Sequence, residues 1–145
     1  MAEIKLIIAG VDGSQQSRAA LHWAYDEATH HDASLTVVMT WHPPTLPMSP
    51  PYGAIPEEGY EHQPRTTALG VLDGLVAELE QRNPPVDVRT SIEEGSPAKV
   101  LIERSKECDL MVVGHRGHGG FAGMLLGSVS QHLVAHAHCP VVVVR

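Results

Sequence analysis

Cysteine is scarce in this chain. Only Cys108 and Cys139 are present, and no Cys-x-x-Cys occurs, which excludes a disulfide framework. Aromatic residues are equally thin: Trp23, Trp41, Tyr25, Tyr52, Tyr60 and Phe121. That leaves few platforms for stacking single-stranded bases and requires an aliphatic core. Positive charge is short too, with ten Lys and Arg against seventeen Asp and Glu and a net charge of −7. Nucleic-acid binding and anionic membrane surfaces both draw on clustered Lys and Arg, so neither partner is expected. No apolar run reaches the ~18–20 residues of a membrane span. The opening MAEIKLIIAGVDGS lacks a basic n-region followed by a long apolar h-region, so a reducing cytoplasm is the expected location. What is present is 145 residues with 43% hydrophobic side chains. That suits one globular domain, 1–145, burying roughly two-thirds of its unfolded surface.

Along the chain, Ile4–Val11 (IKLIIAGV) is an apolar run with little alternation, as expected of a strand buried on both faces. Ser14 to His31 is helical in pattern, with Ala20, Leu21, Ala24 and Ala28 on one face. Leu35–Trp41 (LTVVMTW) is a second strand. His42 to Glu61 carries six prolines, a density that no regular element survives; so long a loop is either functional or mobile. Leu69, Leu72, Leu75, Val76 and Leu79 mark a helix ending by Asn83-Pro84-Pro85, and Val86–Ile92 alternates as a third strand. Ser96-Pro97 opens a helix, with Ser as N-cap and Pro at its first position, running to about Glu107. Asp109–Val113 is the fourth strand, Ser128 to about Ala137 the last helix and Pro140–Val144 the fifth strand. This alternation predicts a doubly wound α/β fold, a parallel sheet with helices on both faces. Ligands in such sheets bind beyond the carboxyl ends of the strands, where the strand order switches. Attention therefore falls on Gly10-Val11-Asp12, Thr40-Trp41 and the loop after Val113.

That loop carries the chemistry. Gly114 to Ser128 holds six glycines in fifteen residues, leaving a strand and entering a helix. Glycine permits close backbone approach, so successive N–H groups can converge on an anion, and a helix start adds unpaired N–H groups and a favourable dipole end. Candidate phosphate-binding residues are Gly114, His115, Arg116, Gly117, His118, Gly119 and Gly120 in the loop, with Gly127, Ser128, Val129 and Ser130 at the helix start. Arg116 is the loop's only permanent cation, and the Ser128 hydroxyl can donate to a phosphate oxygen. The plainer alternative is a flexible loop with Ser128 as an ordinary N-cap. Two better-known motifs fail. A Walker A loop needs Gly-Lys-Ser/Thr, which is absent. Gly117-x-Gly119-x-x-Ala122 mimics a dinucleotide fingerprint, but the chain ends before the acidic residue and further βαβ unit that this requires.

The spacing Gly114-x2-Gly117-x9-Gly127-Ser128 resembles the G-2x-G-9x-G-S/T signature of the ATP-binding class of universal stress proteins. Val11-Asp12-Gly13-Ser14 after the first strand and His138-Cys139-Pro140-Val141-Val142-Val143-Val144 at the finish agree with it, so the resemblance spans the chain. It implies a five-stranded parallel sheet in order 3-2-1-4-5, a bound adenine nucleotide and a homodimer. By position, it places Asp12 near the nucleotide's sugar, Gly10 and Val11 as backbone contacts, and Thr40 against adenine. A Thr there, rather than an apolar residue, departs from the family pattern. Physically, a carboxylate at a strand's end accepts ribose hydroxyl bonds, while Asp12-Gly13 also fits a plain turn. The Pro-rich loop is placed to cover the base. ATP is the expected ligand, with AMP or another adenine nucleotide as alternatives. Mg2+ would accompany ATP if Asp12 reaches the phosphates.

Other residues favour plainer readings. His132 and His136 are four apart on the last helix, but no HExxH pattern accompanies them, and helix-end histidines also complement the dipole; no metal site is expected. His115 and His118 add charge to the loop only when protonated; their plainer reading is rings turned to solvent. The loop has no carboxylate and no lysine for phosphoryl transfer. The reading is therefore a nucleotide binder with no assigned catalytic residue. A slow ATPase or phosphotransferase and a ligand-free scaffold dimer are the alternatives. Pro140–Val144, an apolar terminal strand, calls for a pairing partner, which a two-fold dimer supplies. Cys108 and Cys139 precede the fourth and fifth strands. If those strands are neighbours, a disulfide is within geometric reach, though buried cysteines are more often inert small hydrophobes.

Overall fold

In the computed structural model, which describes residues 2–43, 63–117 and 126–145, the first strand, β1 (Leu6–Val11), is buried from Ile7 to Val11. Its apolar run has no polar face because both faces are covered. After it come α1 (Gln15–His31), β2 (Ser34–Trp41), α2 (Gln63–Glu80) and β3 (Val88–Glu94). The chain closes with α3 (Pro97–Arg104), β4 (Leu110–Gly114), α4 (Ser128–His136) and β5 (Val141–Val144).

All five strands pair in parallel, in the order β3-β2-β1-β4-β5. Residues one apart on a strand point to opposite faces, which sorts the core into two clusters. Ile7, Ala9 and Val11 join Leu35, Val37 and Met39 under α1 (Ala20, Leu21, Ala24, Ala28) and α2 (Leu72, Leu75, Leu79). Ile8, Val38, Met111 and Val113 face the other way, against Leu101 of α3 and Leu133 of α4. On β5, Val142 and Val144 pack on the first cluster, and Val141 and Val143 on the second. The aliphatic core and two-sided helical cover are as the sequence predicts. Among the described residues, no helix is long and apolar enough to cross a membrane.

β2, β4 and β5 shift by one residue, and three elements differ from expectation by two or more. β1 starts at Leu6 rather than Ile4, where pairing with Ser34 begins. β3 is displaced by two residues, from 86–92 to Val88–Glu94. A two-residue shift leaves every side chain on its original face, so alternation alone does not fix it. The charged Glu93 and Glu94 still pair with Thr40 and Trp41 because β3 is an edge strand, where charges are tolerated. α3 stops at Arg104, since Ser105 turns its hydroxyl onto the Ile102 carbonyl at 2.6 Å. Ser96 holds the expected N-cap position with Pro97 following, but its side chain makes no capping bond. Most of the Pro-rich segment (44–62) lies outside the described residues, as does the cover over the base expected of it.

Candidate functional site

Strand order reverses at β1, because β2 lies on one side of it and β4 on the other. Just beyond the carboxyl ends of β1 and β4 is a cleft of about 270 Å³, close to the ~300 Å³ lower end of small-molecule sites. Its floor is backbone. A Cβ on Gly10 would stand 2.6 Å from Leu101 Cδ1, and one on Gly114 would stand 2.8 Å from the backbone of Gln16. Only glycine lets these strand ends lie so close to α3 and α1.

The turn after β1 shapes one wall. Ser14 caps α1, its hydroxyl accepting from the Ser17 N–H at 3.2 Å. Gly13 supplies the positive φ of 86° that the turn demands. Asp12 Oδ1 accepts from the Ser14 N–H at 2.9 Å, and the Ser17 hydroxyl accepts from the Asp12 N–H at 3.3 Å. One carboxylate oxygen is therefore committed to the turn. The other, Oδ2, lies against Gly117, where any Cβ would collide with it. Asp12 thus makes the turn and also lines the cleft.

The opposite wall is the helix start. Gly127, not Ser128, is the N-cap of α4, in extended conformation. Ser128 is then the first helical residue, exposed and lining the cleft, so the reading of it as a plain N-cap is excluded. The Gly127 N–H donates to the His115 carbonyl at 2.6 Å, and the buried Ser130 hydroxyl donates to the Gly114 carbonyl at 2.7 Å. These bonds lock the amino end of α4 onto the end of β4, aiming the helix's leading N–H groups at the cleft.

Of the sequence-predicted site residues, Gly10, Val11, Asp12, Thr40, Gly114, Arg116, Gly117, Gly127, Ser128, Val129 and Ser130 line this one cleft. His115 does not. Its Nδ1 is 3.2 Å from the Val144 carbonyl, and its Nε2 accepts from Arg116 Nε at 3.3 Å. Its half-buried ring is thus turned to the sheet edge rather than to the cleft. His118, Gly119 and Gly120 lie outside the described residues. Sequence reasoning missed Ser17, Val38, Pro97, Leu101 and Val113, which also line the cleft. Ser17 was recoverable as the residue three after the cap. The four apolar residues carry no site signal of their own, since Val38, Leu101 and Val113 read as ordinary strand and helix core and Pro97 as a helix start. Together they give the cleft an apolar wall opposite its polar one. Among the described residues no group of three His, Cys, Asp or Glu is placed to hold a metal ion.

The sequence profile described as "Usp: Universal stress protein family" matches residues 3–145. The chain belongs to the universal stress protein family. A universal stress protein of Mycolicibacterium smegmatis is 38% identical over 139 residues, covering 96% of this chain and 45% of the relative. One from Mycobacterium tuberculosis is 35% identical over 141 residues, covering 96% of this chain and 44% of the relative. The chain thus spans about half the length of the curated relatives it matches. Among solved structures, a universal stress protein from Lactobacillus plantarum aligns over 100% of both chains at TM-score 0.80 and 23% identity. A universal stress protein solved in complex with cAMP aligns at TM-score 0.67 and 24% identity, covering 99% of this chain and 98% of the other. An Arabidopsis thaliana family member solved with AMP bound aligns at TM-score 0.64 and 19% identity, covering 97% and 90%. At these identities the structures bear on the fold, and they share this one.

Proposed function

We propose that this universal stress protein binds an adenine nucleotide in the cleft at the carboxyl ends of β1 and β4, and that ATP is its ligand. One observation carries the reading: Gly114, Gly117, Gly127 and the first turn of α4 meet the end of β1 around a single cavity. Backbone N–H groups unobstructed by side chains and a helix's positive end suit phosphate. Arg116 adds the cleft's cationic side chain. Asp12 is placed for ribose hydroxyls. Val38, Pro97, Leu101 and Val113 offer an apolar wall to the base, and Thr40 borders it. The cAMP and AMP complexes of structural neighbours support the adenine preference. Mg2+, where it accompanies ATP, would draw on the phosphates and Asp12, the only carboxylate among the described lining residues. No pair of groups suited to activate a nucleophile faces the described cleft, so the reading is binding, without assigned catalysis.

Equilibrium titration with ATP and AMP, wild type against Gly117→Glu, tests this. The new side chain collides with Asp12 and sets a second negative charge where phosphate belongs. Affinity should fall at least thirtyfold, about 2 kcal/mol. Unchanged affinity in a folded variant would sink the assignment.

Homodimerisation through β5 is part of the same proposal. β5 ends the sheet and all four of its valines are only half-buried, an edge that a second copy can complete by two-fold pairing. Sedimentation of the chain at micromolar concentration should give a dimer; a monomer would contradict it.

A further inference from the structure

The end of the sheet away from the cleft holds a second chemical feature. Cys108 Sγ and Cys139 Sγ are 3.6 Å apart, in van der Waals contact. We propose that Cys108 and Cys139 form an oxidisable dithiol, closed by a hydroperoxide into an intrachain disulfide that staples the start of β4 to the start of β5.

The backbone around both sulfurs is already fixed. The Asp109 N–H donates to the Leu6 carbonyl at 2.9 Å, and the Met111 N–H to the Pro140 carbonyl at 3.0 Å. The His138 N–H donates to the Ser105 hydroxyl at 2.9 Å, and Ser105 is 1% exposed. Strands β4 and β5 are hydrogen-bonded neighbours with Met111 opposite Val141, so the two cysteines lie just before adjacent strand starts, one residue out of direct register, with their sulfurs already in contact. A disulfide needs the sulfurs at about 2.05 Å. Side-chain rotation can supply that approach while the backbone stays in place.

The order of events follows from exposure. Cys108 is buried and Cys139 half-buried, so the oxidant meets Cys139 first. Its sulfur attacks the O–O bond of the hydroperoxide, taking one oxygen as a sulfenic acid and releasing water or an alcohol. Cys108 sulfur then attacks the sulfenic sulfur, the S–O bond breaks, and the hydroxide leaves as water with the Cys108 proton. Two thiols lose two electrons and one peroxide gains them. Burial pushes the Cys108 thiol up to about 12, with neighbouring Cys139 adding to the rise, and burial raises Cys139 as well. Both sulfurs therefore carry protons at neutral pH. The first step is slow and needs sustained oxidant, and the second is helped by contact.

The closed loop joins residues 31 apart and encloses the glycine-rich segment and α4. Constraining a loop of that length in the unfolded chain should raise Tm by about 5 °C or more.

The test uses the intact reduced protein, treated with hydrogen peroxide, quenched with an alkylating reagent and mapped by non-reducing mass spectrometry. Expected are joint loss of both thiols, one Cys108–Cys139 linked peptide in an unlinked chain, and a Tm rise reversed by dithiothreitol. In Cys108→Ala, dimedone should trap a sulfenic acid on Cys139. Three results would overturn the proposal: two alkylated thiols after treatment, Cys139 sulfinic acid beside an alkylated Cys108, or linkage only between chains.

Discussion

The two ends of this sheet are built to opposite plans. At the carboxyl ends, side chains are withdrawn. Gly10, Gly114 and Gly127 are buried and Gly117 exposed, all four without a side chain to fill the space, and a cleft opens between β1 and β4. At the amino ends, side chains close the structure. Asp109 Oδ2 accepts from the Lys5 and Leu6 N–H groups at 2.9 Å each. Ser105 ties α3 to the α4–β5 corner, and Cys108 lies in contact with Cys139. Polar side chains satisfy the fold's own backbone at both ends, through Asp12, Ser14, Ser17 and Ser130 at the cleft, but only at the carboxyl end do they border a cavity of this kind. Changes at the amino end should therefore move stability and spare binding, and changes at the cleft's exposed rim should move binding more than stability.

The largest expected effect is at the cleft. Gly117→Glu should cost at least about 2 kcal/mol of nucleotide affinity and less, about 1 kcal/mol, of unfolding free energy, because Gly117 is exposed beyond β4 but the new side chain displaces the Asp12 carboxylate. Urea unfolding beside the titration measures both. A variant that unfolds readily would break the comparison.

Next is Ser105→Ala. It removes a buried hydroxyl that donates to Ile102 and accepts from His138, leaving that N–H without its partner. Unfolding should become easier by about 1–2 kcal/mol, with ATP affinity unchanged. A large loss of affinity would show the two ends to be coupled.

The smallest effect is at Asp109. Hydrogen bonds from the Lys5 and Leu6 N–H groups hold its carboxyl below the usual carboxylate range. A lowered folded pKa means the stabilisation is complete above the unfolded value, about 3.9, and is lost as pH falls through the folded one. Asp109→Ala should cost about 1 kcal/mol at neutral pH, at the low end for charged acceptors because the group is exposed. The gap between wild type and variant should close below about pH 4. A gap independent of pH down to 2 would count against the carboxylate as its source.

These two plans were unequally visible in the sequence. The cleft end was legible because its signals are local. A strand ending in Asp-Gly-Ser and glycines at fixed spacing before a helix identify themselves. Most of the predicted site residues do meet in one cleft. What local pattern left out are the residues delivered by distant elements. Leu101 on α3 and Val38 on β2 read as core, and Pro97 as a helix start, until the parallel order brings α3 over the end of β1. His115 departs from the cleft for a related reason: its ring follows β5, which is distant in sequence. The amino end was nearly silent. Asp109 and Ser105 look like ordinary surface residues, and their meaning lies in the N–H groups of Lys5, Leu6 and His138.

Amide hydrogen exchange, with and without saturating ATP, tests the division most directly. The account predicts added protection at Asp12 to Ser17, Gly114 to Gly117 and Ser128 to Ser130, and none at Lys5, Leu6, Cys108 or Cys139. Protection confined to the amino ends of the strands, or no protection at the cleft under saturating nucleotide, would contradict it.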